Sequence, residues 1–156
     1  MNDVNIYIET DTRSPRARTG HYAFVLEMET KSGIQTATEI GCMENVTAKR
    51  LVLAATYQAM ARINGRCRVT IYTDSDYLQT AFLQDWLHGW QERGWKNAKG
   101  QDIKNADLWS RILYMADDHQ IEIVKGPAHP YSRWLQAEMK KADLKPGHCR
   151  SINHAK

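Results

Sequence analysis

Val4, Ile6 and Ile8 alternate with Asn5, Tyr7 and Glu9, the two-residue period of a half-buried strand. After the turn-rich run from Thr12 to Gly20, the segments His21 to Thr30 and Ile34 to Cys42 both have strand character. Lys31-Ser32-Gly33 between them has hairpin length and carries a glycine, so the first three strands are predicted to be antiparallel neighbours. Thr47 is placed to cap a helix running from Ala48 to about Ile63, rich in Leu, Ala and Met and halted by Asn64-Gly65. That composition predicts a largely buried helix. Arg68 to Thr73 then reads as a short β-branched strand, and Asp74-Ser75-Asp76 suits the start of a helix over about Tyr77 to Phe82.

Periodicity is lost between Asp85 and Asp107, a stretch that holds Trp86, Trp90 and Trp95 among several lysines. It returns as a helical pattern from Leu108 to Ala116 and as a strand at Gln120 to Lys125. Gly126-Pro127-Ala128-His129-Pro130 breaks the chain, and Trp134, Leu135 and Met139 mark a last helix within Tyr131 to Leu144 that would cover the sheet. Residues 145–156 contain Pro, Gly and polar residues without an apolar stripe and are expected to form a flexible tail. The predicted order, three strands, helix, strand, two helices, strand and helix, places one domain over 1–144. A chain of 156 residues can bury one sizeable core and divides poorly into two.

Composition narrows the class without choosing a function. Apolar residues at 42% and charged residues at 25% are those of a soluble globular protein. The longest apolar runs, such as Leu51 to Tyr57, fall far short of the roughly 20 residues needed to span a membrane. The opening Met-Asn-Asp lacks the basic and then apolar pattern of a leader, so a cytoplasmic protein without a membrane partner is expected. Cys42, Cys67 and Cys149 are odd in number, far apart and without a CxxC pair, which predicts reduced thiols rather than a disulfide framework or zinc site. A net charge of +3 permits a polyanionic partner and does not require one.

Three stretches carry a specific resemblance. They are Ile71-Tyr72-Thr73-Asp74-Ser75-Asp76-Tyr77, Trp86-Leu87-His88-Gly89-Trp90-Gln91-Glu92-Arg93-Gly94-Trp95-Lys96, and Lys104-Asn105-Ala106-Asp107-Leu108-Trp109. Together with the element order they resemble the bacterial type I ribonuclease H family. The resemblance implies an α/β, ribonuclease H-like fold: a five-stranded mixed sheet flanked by helices, with a basic handle-like protrusion. It also implies hydrolysis of the RNA strand of RNA/DNA hybrids through Mg or Mn held by acidic side chains, the chemistry of a two-metal phosphodiesterase.

On that resemblance Asp74, at the end of a hydrophobic strand, matches a catalytic, metal-binding aspartate. The first-strand acid falls on Glu9 or on Asp11, two residues apart and on the same face of an extended strand, with Glu9 preferred as both catalytic and metal-binding residue. The central helix aligns Val52 where the family has a glutamate. The last helix aligns Gln136 where it has an aspartate, and Glu138 would replace it only with a shifted register. His129 matches the family's proton-shuttling histidine, in a loop one residue shorter and with a proline nearby. In the protrusion, Trp86, Trp90 and Trp95 either meet nucleotides or pack the handle against its own helices, while Arg93, Lys96, Lys99 and Lys104 would reach phosphates. Gln91 and Glu92 dilute this charge. Lys49 and Arg50, with Arg13, Arg16 and Arg18, would form a second basic strip.

Three functions are compatible with this set. One is a binder of RNA/DNA hybrid or another duplex, with weak or absent catalysis because Val52 and Gln136 replace acids. Another is an active endoribonuclease with a rearranged site. The third is a protein-interaction module, its partner unknown, since a fold does not dictate a function.

Overall fold

The structure, a computed structural model, describes residues 1–152. Three strands open the chain: β1 (Asn2–Thr10), β2 (Arg18–Thr30) and β3 (Gly33–Val46). They form the predicted antiparallel meander, with Ile6 opposite Leu26 and Phe24 opposite Glu39. Helix α1 (Ala48–Met60) follows, with the Thr47 hydroxyl accepting the Arg50 N–H at 3.2 Å to cap its first turn. Strand β4 (Cys67–Thr73) returns parallel to β1, and Ser75 caps α2 (Asp76–Leu83) through the Leu78 N–H. Then come α3 (Trp86–Glu92), α4 (Ala106–Ala116), β5 (Gln120–Lys125), parallel to β4, and α5 (Ser132–Lys141).

The strand order is β5-β4-β1-β2-β3-β6, a sheet of six strands rather than five. The added strand, β6 (Cys149–Ile152), lies in the segment expected to be a flexible tail and pairs antiparallel with Thr38 to Gly41 of β3. Its side chains are mostly exposed, so it carries no apolar period to announce it; the backbone groups of the β3 edge recruit it. Residues 153–156 of the expected tail lie outside the described residues.

Strand alternation divides the core between the two faces of the sheet. Val4, Ile6, Ile8, Phe24 and Leu26 pack under α1 and α4, whereas Tyr7, Ala23, Val25 and Ile40 pack against Leu135 and Met139 of α5. Gly41 is required by its neighbour: a Cβ there would stand 2.2 Å from the Tyr22 ring, which lies over it. In the aperiodic stretch a short helix, α3, had no separate prediction. Asp85 and Trp95, both with positive φ, bracket it and interrupt any longer pattern. Among the described residues no helix is long and apolar enough to cross a membrane.

Candidate active site

Parallel neighbours β1 and β4 end at the same side of the sheet, and their chains leave in different directions, β1 to β2 and β4 to α2. Crevices of this kind, beyond the carboxyl ends of parallel strands, are where α/β proteins usually place their ligands. Here an open cleft of about 230 Å³ lies between the two strand ends and the start of α1, lined among others by Thr10, Arg13, Lys49, Val52, Asp74 and Tyr77.

Alternation separates the two candidate acids. Thr10 shares the α1 side with Ile6 and Ile8 and lines the cleft, so Glu9 turns with Tyr7 toward α5. Its carboxylate is engaged by three neighbours there: Gln136 Nε2 donates to Oε1 at 2.7 Å, Ser132 Oγ donates to Oε2 at 2.8 Å, and His129 Nε2 stands 2.9 Å from Oε2. Burial would raise the Glu9 pKa, but the hydrogen bonds from His129, Gln136 and Ser132 outweigh it and hold the carboxyl below its ordinary range. Ser132, which sequence reading passed over, precedes Gln136 by four residues and so shares its helix face.

Asp74 lies in the cleft, against a cation from the same chain. Arg13 Nη2 meets Asp74 Oδ2 at 2.5 Å, while Nη1 donates to Thr10 Oγ1 at 3.1 Å and to the Thr10 carbonyl at 3.4 Å. Val52, 4% exposed, adds only methyl groups to the wall. Asp11 is occupied elsewhere, accepting the His21 N–H at 2.7 Å and facing His21 Nδ1 at 2.7 Å.

Two further candidate residues are placed away from this chemistry. Glu138 is two residues, or roughly 200° of helix, from Gln136 and pairs with Lys141 at 3.0 Å. The helix keeps the register in which Gln136, not Glu138, meets β1. The His129 side chain is 4% exposed, and both ring nitrogens are engaged. Nδ1 accepts the Tyr131 N–H at 3.2 Å, so the ring proton sits on Nε2, shared between the Ile8 carbonyl at 3.0 Å and Glu9. This histidine fastens α5 to β1 and presents no nitrogen to the cleft.

Magnesium and manganese prefer several carboxylate oxygens with water completing the shell. Asp74 paired to Arg13, Glu9 turned toward α5 and engaged by three neighbours, an amide and a valine do not make that donor set. Among the described residues no three His, Cys, Asp or Glu side chains gather to hold a metal. The residues present therefore do not fit a two-metal centre.

The protrusion is built around its tryptophans. Trp90 lies 5.9 Å from Trp86, 6.4 Å from Trp95 and 5.8 Å from the fully buried Trp109, so the rings form an internal spine from which Trp86 emerges, 41% exposed. Arg93, Lys96, Lys99 and Lys104 are exposed, with Lys96 ion-paired to Asp102. Lys49 rests over the Tyr77 ring at 5.0 Å beside the cleft. Arg50 is a strut instead: its guanidinium grips Asp107 at 3.0 and 2.7 Å and Asn105 at 3.2 Å, tying α1 to α4. That pairing pushes Asp107 down to about 2.

A family model for RNase H matches residues 1–143. The chain belongs to the RNase H family. It is 34% identical over 131 residues to the Ribonuclease H of Lachnoclostridium phytofermentans, covering 81% of this chain and 83% of that one. With the Ribonuclease H of Thermus thermophilus it shares 37% identity over 98 residues, 61% of this chain and 59% of the relative. Among solved structures, LC9-RNase H1, described as a type 1 RNase H with the type 2 active-site motif, superposes with a TM-score of 0.67 at 24% identity. That match covers 89% of this chain and 72% of the other. In this RNase H-family chain the wall of the cleft carries Val52, Arg13 and Lys49 beside Asp74.

Proposed function

We propose that this RNase H-family chain binds RNA/DNA hybrid, or a related nucleic-acid duplex, with weak or absent cleavage. The observation that carries the proposal is the state of the two candidate carboxylates: Arg13 neutralises Asp74, and the α5 side chains consume Glu9. Two-metal hydrolysis needs ions held by carboxylates with lone pairs to spare, and Val52 and Gln136 bring no carboxylate. Duplex binding needs less. Exposed Lys99, Lys104 and Arg93 on the protrusion and Lys49 at the cleft suit phosphate contacts, which are independent of sequence. A cytoplasmic setting completes the reading and accords with free Cys42, Cys67 and Cys149.

The other reading, a working endoribonuclease, is favoured by the relatives' shared name, Ribonuclease H. One assay separates the two. A labelled RNA/DNA hybrid is incubated with Mg or Mn beside the Asp74→Asn variant, and its binding is followed in parallel. The expected outcome is salt-sensitive binding in the range of about 10⁻⁶–10⁻⁴ M at physiological salt, with the RNA strand intact. Metal-dependent cleavage abolished by Asp74→Asn would establish the enzyme instead, and no binding to any duplex would leave the protein-interaction role.

A further inference from the structure

The cleft holds an acid and a cation where the metal reading wants an acid alone. Arg13 meets Asp74 at the surface of the cleft and has a second anchor. Its Nη1 is anchored on both oxygens of Thr10, at 3.1 and 3.4 Å, at the end of β1, while its Nη2 meets Asp74 just beyond the end of β4. A guanidinium has five N–H donors in a planar fork. These contacts leave the Nε–H and one Nη2 N–H uncommitted on a side chain that is 63% exposed. Lys49, its Nζ 5.0 Å above the Tyr77 ring, lines the same cleft, and Val52 beneath them brings no opposing charge.

Resting on the duplex-binding reading, we infer that Arg13 takes the place of a divalent ion at Asp74. The cleft then carries its cation covalently, and the outward donors of Arg13 receive a phosphodiester oxygen of the bound duplex without any metal. The guanidinium bridges the end of β1 to Asp74 beyond β4, and a planar fork suits a phosphate oxygen pair. Asp74 keeps a purpose in this arrangement: it orients the fork. A divalent ion entering the cleft would have to expel a guanidinium held by three hydrogen-bonding contacts, and of the two carboxylates lining the cleft the other, Asp76, is paired with Lys125.

The test uses the whole chain and two readouts. Hybrid binding is measured by fluorescence anisotropy in EDTA and in Mn²⁺, and Mn²⁺ binding to the free protein is measured by paramagnetic broadening of its amide signals. Wild-type protein is expected to bind hybrid equally well in both buffers and to show no broadening centred on Asp74. Arg13→Gln should weaken hybrid binding about tenfold, the worth of one charge-assisted contact. The same variant should gain Mn²⁺ broadening around Asp74, which the double variant Arg13→Gln/Asp74→Asn loses. Arg13→Lys, which keeps the charge without the fork, should fall between the two in hybrid affinity. Wild-type binding that requires Mn²⁺, or an Arg13→Gln variant with unchanged hybrid affinity and no new broadening, would overturn the inference. Wild-type protein that binds no hybrid overturns the functional reading instead, and the Mn²⁺ experiment on free protein still decides the exchange at Asp74.

Discussion

A carboxylate serves a metal only with the lone pairs its protein neighbours leave, and at Glu9 three neighbours take most of them. Gln136, Ser132 and His129 all point at it from the segment running into α5, turning a candidate ligand into a clasp between β1 and that helix. The clasp has a pH signature. Its net effect holds the folded-state pKa of Glu9 below the unfolded value of 4.5, so its stabilisation is fully present above pH 4.5 and is lost as pH falls through the folded value. Glu9→Gln is therefore expected to lower the thermal midpoint at neutral pH and to flatten its decline below about pH 4.5. Thermal unfolding of both proteins from pH 3 to 7 checks this, and parallel curves for the two would count against the clasp. Asp74, Val52 and Gln136 are read from the family motifs that they match; Val52 and Gln136 lie in helices α1 and α5, and Asp74 lies just beyond the end of β4. Arg13 was read as a phosphate contact and not as the partner of Asp74, because a residue in an aperiodic loop carries no register. The same holds for His129, whose loop path, rather than its identity, buries it.

Elements follow a similar rule. Strands β1 to β3, helix α1 and the parallel β4 and β5 announce themselves through alternation, β-branching and caps, although β1 and β2 bury side chains on both faces of the sheet. Elements held by backbone alone do not. Strand β6 has three exposed side chains in four, and its tie to the sheet is the ladder to Thr38–Gly41. It nevertheless covers something costly: Glu39 of β3 is 4% exposed, meets Arg62 at 3.3 Å and has one carboxylate oxygen without a hydrogen-bond partner among the described residues. Ser151, opposite Glu39, also receives the Arg62 guanidinium at 3.5 Å. Truncation after residue 148 should let water reach Glu39 while leaving β3 as an open edge. We expect the lost ladder to outweigh the relieved carboxylate, lowering the midpoint by roughly 2–4 °C per kcal/mol lost. The truncated protein should also self-associate through β3 at high concentration. Calorimetry with light scattering measures both, and an unchanged midpoint with monomeric protein would show that β6 merely rests on the edge.

At the scale of the molecule, the positive charge divides into cations committed to the fold and cations turned outward. Arg50 with Asp107, Arg68 with Asp3, Lys125 with Asp76 and Lys96 with Asp102 are each neutralised in place. Lys99 and Lys104 on the protrusion are exposed and form no ion pair among the described residues, which makes a small net charge of +3 compatible with a polarised surface. The distinction can be read in the salt dependence of hybrid binding, because each phosphate contact releases counterions and adds about 0.9 to the slope of log K against log salt. Lys99→Ala and Lys104→Ala should each weaken binding across all duplex sequences and lower that slope by about 1. Arg50→Ala should leave the slope unchanged and cost up to about 1 kcal/mol of stability, the range for a surface pair of good geometry. Anisotropy titrations at several salt concentrations, paired with thermal unfolding of the same variants, separate the two groups. A slope unmoved by both lysine substitutions would mean that the duplex lies along the cleft and Lys49 without reaching the protrusion, and a slope reduced by Arg50→Ala would mean that the strut opens to meet phosphate.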